Sequence, residues 1–204
     1  LPLRLLLCGR VKEQSPKTLL DAGCGEGYYT EGLSAALAQG ELWGVDISKE
    51  ALVCAGKRLK GKAKLAVASI YGLPFEDGCF EALTLTFSPY SGEEYRRVLK
   101  ENGLLYMVIP GPQHLWELKE VLYERPYENE VRDRSLPGFE YLSEDRISYT
   151  REVQGEDLQN LFRMTPYFYR TPQEGRERAK ACSALALTME FYLLRYRKAE
   201  TDKR

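Results

Sequence analysis

The sequence predicts an α/β fold, a doubly wound and mostly parallel seven-stranded sheet, in one domain over residues 1–204. Three observations carry that expectation. Short apolar runs alternate with helix-period segments through the first half of the chain, the pattern of βαβ units. The first run ends in a turn with glycine at every second position, Asp21-Ala22-Gly23-Cys24-Gly25-Glu26-Gly27. The second ends in a carboxylate, Asp46, so polar residues collect at one end of the strands, where open α/β sheets bind ligands.

Taken in order, residues 1–13 place Leu3, Leu6, Leu7 and Val11 on one helical face, and Ser15-Pro16 ends that helix. Residues 18–20 read as a buried strand. After the glycine turn, Tyr29, Leu33, Ala36 and Leu37 form the apolar stripe of a helix over 28–39, closed by Gln39-Gly40. Residues 42–47 are a second strand, and Ser48 caps a helix over 49–59. Strands follow at 64–69 and 80–87, with a turn-rich link through Leu73-Pro74 and Asp77-Gly78 between them. A short helix over 93–100 is stopped by Asn102-Gly103, and a fifth strand over 104–109 ends at Pro110-Gly111-Pro112. Beyond it the pattern predicts a helix over 114–123, a charged loop over 124–134, and a strand with a break over 139–153. A helix over 155–164, a helical turn over 176–182 and a last strand over 185–196 complete the reading.

Composition narrows the function classes. The net charge is −1, so binding to nucleic acid is not announced by overall charge, although a local patch suffices for it. No apolar run reaches the ~20 residues of a membrane span, and no signal peptide is visible. The expectation is a cytoplasmic protein with no membrane partner, its oligomeric state open. Five scattered cysteines without a C-x-x-C pair, and a single histidine, predict no metal site and thiols that serve as small core residues. The chain starts at Leu1 rather than methionine, which predicts a fragment, a processed form or an unlisted beginning.

The strand ends name the candidate site. The glycine turn leads into a helix N-terminus, where backbone donors are free to meet a ligand. Its spacing is G-x-G-x-G, with Tyr28 in the sixth position where the dinucleotide fingerprint G-x-G-x-x-G has glycine. The acid Asp21 beside the turn suits a ligand bearing an ammonium group better than one bearing a pyrophosphate. S-adenosylmethionine is such a ligand. A tight strand–helix turn without any ligand is the plainer alternative. Asp46 is placed to accept both ribose hydroxyls, with a helix N-cap as its structural alternative. Ala68, Ser69 and Ile70 are placed to flank an adenine ring, and Phe87, Ser88, Pro89 and Tyr90 face the reacting centre. His114 follows the fifth strand, where it either starts a helix or assists the chemistry.

The stretches DAGCGEGYYT, GVDISKEAL, VASIYGLPFEDGCFEALTLTFSP and RVLKENGLLYMVIPGPQHLWELKEVLY resemble the large-subunit (23S) ribosomal RNA (guanine-N1)-methyltransferases. The later LFRMTPYFYR is similar to the same family, and with PGPQHLWELK it is more specific than the glycine turn. The resemblance implies the Rossmann-like fold of S-adenosylmethionine-dependent methyltransferases, that cofactor, and ribosomal RNA as partner. It implies that Gly25 and Glu26 lie at the cofactor, Asp46 at its ribose, and His114 and Leu115 beside the cofactor or the target base. The glycine turn and the strand ends add Asp21, Gly23, Gly27, Tyr28, Ile47, Ala68, Ser69, Ile70 and Phe87 as cofactor candidates, and Pro89 and Tyr90, with His114, as the candidates at the target base. The family also carries a zinc-binding module and a basic linker ahead of this domain, and neither is present in this sequence.

Guanine N1 carries a proton that must leave on methylation, so an acceptor is required, either His114 or water. The aromatics and cation of 164–170 can stack a base and hold phosphate, or pack a core. Lys57, Arg58, Lys60, Lys62 and Lys64 form an acid-free run that is either an RNA contact or a solvated face. Two other functions fit the same glycine and Asp46 motifs: methylation of a small metabolite, and a non-catalytic cofactor-binding domain.

Overall fold

The structure is a computed structural model that describes residues 2–37, 39–130 and 133–200. Its strands are β1 (Thr18–Ala22), β2 (Glu41–Asp46), β3 (Lys64–Val67), β4 (Phe80–Thr86), β5 (Leu99–Pro110), β6 (Phe139–Gln154) and β7 (Ala184–Lys198). They form one seven-stranded sheet in the order β3-β2-β1-β4-β5-β7-β6. The pairs β2–β3, β1–β2, β1–β4 and β4–β5 are all parallel. The chain order reverses between β1 and β4, the topological switch point of a doubly wound sheet.

Two compact units divide the chain. The first comprises Leu1–Ile109, Asp133–Asp145 and Leu193–Arg204, and the second Pro110–Arg132 and Arg146–Tyr192. In the first, α1 (Pro2–Gln14) buries Leu3, Leu7 and Val11, three of the four residues on the face that the sequence pattern picks out. The sheet interior is closed by Leu19, Leu20, Leu83, Leu85 and Leu105, each 1% exposed or less. Strands buried on both faces read as continuous apolar runs, which is why β1 and β4 were legible. Helix α3 (Lys49–Leu59) starts where expected, its Ser48 hydroxyl accepting from Ala51 N at 3.1 Å. In the second unit, α5 (Trp116–Leu122), α6 (Gly155–Met164) and α8 (Gln173–Ala181) pack Leu118, Leu122, Leu158, Phe162 and Ala179 together with Leu187 of β7.

Several elements differ from expectation. Helix α2 (Tyr28–Ala36) ends early because Leu37 leaves the helix and buries its side chain. The short helix α4 (Gly92–Val98) hands over directly to β5, which begins at Leu99 rather than Leu104. The charged stretch Lys100-Glu101-Asn102 hid that start. The ladder absorbs it with a register shift, Phe80 opposite Leu99 and Ala82 opposite Leu104, while Asn102 takes a left-handed conformation at φ 61°. Strand β6 runs unbroken, its exposed polar residues being those of a half-wet strand rather than a gap. The expected turn at 176–182 is the longer α8, and Tyr167–Arg170 is a one-turn helix, α7. Of the five cysteines only Cys24 is buried and Cys54 is exposed, so the thiols are not uniformly core residues.

Candidate active site

In the first unit, the carboxyl ends of β1, β2, β3 and β4 surround a cavity of about 340 Å³. Gly23, Asp46, Ile47, Ala68, Ser69, Ile70, Phe87 and Pro89 line it, all singled out by the sequence, and Ser88 and Tyr71 complete the wall. Tyr71 was not anticipated. Its one available signal is the tight turn that Gly72 allows, Gly72 N donating to Ser69 O at 3.1 Å. Ile47, Tyr71 and Phe87 are 76%, 66% and 53% exposed. Apolar surface of that extent at the mouth of a cavity is of the kind that lines small-molecule sites. Phe87 is also held left-handed at φ 58°, a strained position for a residue with a Cβ.

Asp46 has two structural duties. One carboxylate oxygen accepts Gly25 N at 2.8 Å and the other accepts Ser48 N at 2.9 Å. It thereby ties the glycine turn to the end of β2, while Ser48 and not Asp46 caps α3. Each oxygen keeps a lone pair for a further donor. The three turn glycines are required for three different reasons, all at positive φ. A Cβ on Gly23 would lie 2.2 Å from Ser88 Oγ, and one on Gly27 would press on Ala55 Cβ at 3.2 Å. A Cβ on Gly25 meets nothing within 4 Å, so at φ 52° glycine answers there to the backbone conformation and not to packing; neither Gly25 nor Gly27 lines the cavity.

Asp21 is not on the cavity wall. It is 2% exposed, its two oxygens accepting Thr30 Oγ1 at 2.7 Å and Thr84 Oγ1 at 2.9 Å. Burial raises its pKa against the two hydroxyl bonds, and Asp46 adds to the rise. Its place is structural, joining β1, β4 and α2 beneath the turn. Glu26 is exposed and its carbonyl accepts Arg58 Nε at 3.0 Å; the Tyr28 ring lies under the Arg4 guanidinium at 4.7 Å. Neither lines the cavity. Tyr90 also lies off the wall: its hydroxyl is buried without a hydrogen-bond partner among the described residues, and its ring meets Tyr95 edge-on at 5.8 Å. Tyr95 in turn donates to Pro89 O at 3.1 Å and steadies the wall.

His114 and Leu115 belong to the second unit. The imidazole packs on Phe191 at 4.5 Å, and its Nδ1 is buried with no partner among the described residues. Burial, aided by the Lys119 charge and opposed by Glu190, pushes the His114 pKa down to about 4. The ring is therefore neutral at neutral pH, and a weaker base than an ordinary imidazole. Leu115 is 3% exposed and packs in the core of this unit, with its backbone left-handed at φ 57°. Within 164–170, Tyr167 and Phe168 pack against the core, whereas Met164 and Tyr169 are 84% and 81% exposed. In the basic run, Lys64 pairs with Glu41 at 2.6 Å, while Lys57, Lys60 and Lys62 are exposed. Among the described residues, no group of three or more His, Cys, Asp or Glu could hold a metal, and no helix is long and apolar enough to cross a membrane.

A parallel sheet in this order, with a glycine turn at one strand end and a carboxylate at the next, is the fold of S-adenosylmethionine-dependent methyltransferases. Residues 19–103 match the family described as "Methyltransferase domain". A solved Bacillus halodurans protein, provisionally titled a methyltransferase, superposes with a TM-score of 0.64 at 16% identity, covering 96% of this chain and 99% of that one. More particular kinship lies in the sequence. YxjB of Bacillus subtilis, provisionally named a 23S rRNA (guanine-N(1)-)-methyltransferase, is 29% identical over 185 residues, 87% of this chain and 65% of its own. The 23S rRNA (guanine(748)-N(1))-methyltransferase of Streptomyces fradiae is 28% identical over 174 residues, 81% of this chain and 62% of its own. The chain is a homologue of proteins bearing that name, and spans slightly less than two thirds of their length.

Proposed function

We propose that this protein is an S-adenosylmethionine-dependent methyltransferase acting on N1 of a guanine in large-subunit ribosomal RNA. The observation that carries the reading is the extent of the kinship. It covers 87% of the chain, well past the general methyltransferase segment at 19–103 and into the second unit, where a substrate-specific portion belongs. Such a substrate implies work in the cytoplasm.

The cavity fits the cofactor. Its volume falls in the range of small-molecule pockets, roughly 300–1,000 Å³. Asp46 retains acceptor capacity for the ribose hydroxyls, and Ile47 and residues 68–70 offer apolar and backbone flanks to the adenine. When bound, the cofactor would supply a methyl group activated on sulfonium. The protein's share is alignment and proton handling. Phe87 and Pro89 shape the exit of the cavity, with Tyr90 behind them. The N1–H bond of guanine breaks as the N1–methyl bond forms, and His114, neutral at physiological pH, accepts the proton. Exposed Lys57, Lys60 and Lys62 supply phosphate contacts, and exposed Tyr169 a stacking surface for a loop base.

The test follows labelled methyl into a large-subunit RNA fragment and maps the product by reverse-transcription arrest, since a methyl on N1 blocks base pairing. Label at a guanine N1 is the expected result. Label in a small-molecule acceptor and none in RNA would replace the ribosomal reading with the metabolite one.

A further inference from the structure

The turn at 111–115 is held from every side within its unit. Gly111 N donates to Glu190 O at 2.9 Å, Gln113 N to Glu190 Oε2 at 2.6 Å, and Leu115 N to Thr188 O at 2.8 Å. A Cβ on Gly111 would lie 2.5 Å from Glu190 Cγ, so the turn sits directly on that buried carboxylate. On its other side stands Asn129, in the loop that the sequence reads only as charged and solvated. Asn129 N donates to Pro112 O at 3.0 Å, and Asn129 Nδ2 donates to Gly111 O at 2.8 Å and His114 O at 3.3 Å. Asn129 Oδ1 accepts Lys119 Nζ at 2.7 Å and Tyr167 Oη at 2.8 Å. The amide thus uses both donors and both lone pairs, and these partners define its orientation uniquely.

Lys119 is the unusual member. It is 0% exposed, forms no ion pair with a carboxylate among the described residues, and gives its second hydrogen bond to Tyr127 O at 2.8 Å. Its ammonium lies over the rings of Tyr127 at 4.8 Å and Tyr167 at 5.2 Å. A lysine buried this way is costly unless it is fully solvated by protein groups. Leu115, meanwhile, is kept left-handed. Strain of that kind persists where the surroundings over-determine the backbone, and it gathers at functional sites.

We propose that Lys119, Asn129 and Tyr167 form a positioning network that locks the turn and presents the His114 imidazole in one orientation, ready to accept the proton of the target base. This rests on the reading of His114 as that acceptor. All three are positioning residues: they act on the turn and not on the substrate. Lys119 has a second effect, since its charge opposes protonation of the ring. The groups facing the ring or the ammonium are Glu190 on β7, paired with Arg146 at 2.6 Å, Glu128 in the loop, and the phenols of Tyr127 and Tyr167. Glu190 favours the imidazolium and Lys119 opposes it, so removing Lys119 tips the balance toward protonation.

His114 is the chain's single histidine, so its imidazole gives one unambiguous NMR titration. The experiment compares the parent with Lys119→Met, Asn129→Ala and Tyr167→Phe in that titration, in cofactor binding by calorimetry, and in the pH–rate profile of methyl transfer to RNA. The expected result is a rise of the imidazole pKa above about 4 in Lys119→Met, where the opposing charge is gone, with the acidic limb of the rate profile moving alongside it. In Asn129→Ala the imidazole resonances should shift and broaden as the turn loses its hold, since Asn129 bonds the Gly111 and His114 carbonyls. Turnover should fall by tenfold or more in both, with cofactor affinity unchanged. Tyr167→Phe, which removes one hydroxyl and keeps the ring, should perturb the imidazole resonances and turnover more weakly, and it serves if the other variants do not fold. Imidazole resonances and titration alike in parent and all variants overturn the proposal, as does full turnover in Asn129→Ala. His114→Gln separates the two layers: full turnover in that variant ends the acceptor reading, while the titrations still report whether the network governs the ring.

Discussion

Asp46 shows how one side chain serves two masters. Its carboxylate holds Gly25 N and Ser48 N while facing the cavity. Asp46→Ala should weaken S-adenosylmethionine binding by roughly 1.5–3 kcal/mol, the worth of hydrogen bonds to a charged group. That is on the order of tenfold or more in dissociation constant. Ser48→Ala, which removes the cap alone, should lower stability by about 1 kcal/mol and leave calorimetric affinity unchanged. The glycines separate in the same manner. Gly25→Ala should keep the surrounding packing, since its Cβ meets no atom, but should strain the turn at φ 52° and weaken cofactor binding through the Gly25–Asp46 bond. Gly23→Ala should instead lower the melting temperature, because its Cβ strikes Ser88. Equal affinity in the parent and in Gly25→Ala would move the ligand away from this turn.

His114 also makes a pH prediction. Its folded pKa of about 4 lies below the ordinary 6.5, so the unfolded chain takes up the proton first as pH falls. The contribution of neutral His114 to stability is therefore whole above pH 6.5 and is lost progressively between 6.5 and about 4. Melting curves across that window should fall in the parent and flatten in His114→Gln.

At the scale of elements, the helices and buried strands declared themselves through periodicity, and the exceptions have local causes. Strand β5 was read as starting at Leu104 because Lys100, Glu101 and Asn102 look like a loop, yet the ladder continues through them around a left-handed Asn102. A β-branched residue there pays the left-handed penalty in full. Asn102→Val should destabilise the protein by roughly 1–2 kcal/mol in denaturant unfolding. Asn102→Gly should be tolerated. Strand β6 lies at one end of the sheet order, and its alternation of half-buried and exposed residues explains why a break was expected where there is none. Polar residues on an edge strand weaken the hydrophobic signal without weakening the backbone ladder.

At the scale of the whole molecule, ligand linkage offers the broadest check. A cofactor that binds only the folded state should add about 2.7 kcal/mol of stability at a concentration one hundred times its dissociation constant. S-adenosylmethionine should raise the melting temperature accordingly, and NAD should not, since the turn carries Tyr28 where the dinucleotide motif has glycine. An equal upward shift with NAD would contradict the assignment of the cavity. RNA binding, carried largely by exposed lysines, should weaken steeply as salt is raised.

The sequence by itself determined the sheet, the glycine turn, Asp46 and most of the cavity wall. Those features are local: an apolar run, a period, and a backbone needing positive φ each leave their mark within a few residues. The tertiary structure alone decided that Asp21 is a buried brace between Thr30 and Thr84, and that Gly23 answers to Ser88. It decided equally that Leu115 packs a core and that an unremarked asparagine closes the His114 turn. The physical reason is that a buried polar group must find its partners wherever packing brings them, often far along the chain. Such pairings have no period, so nothing in the neighbouring residues announces them.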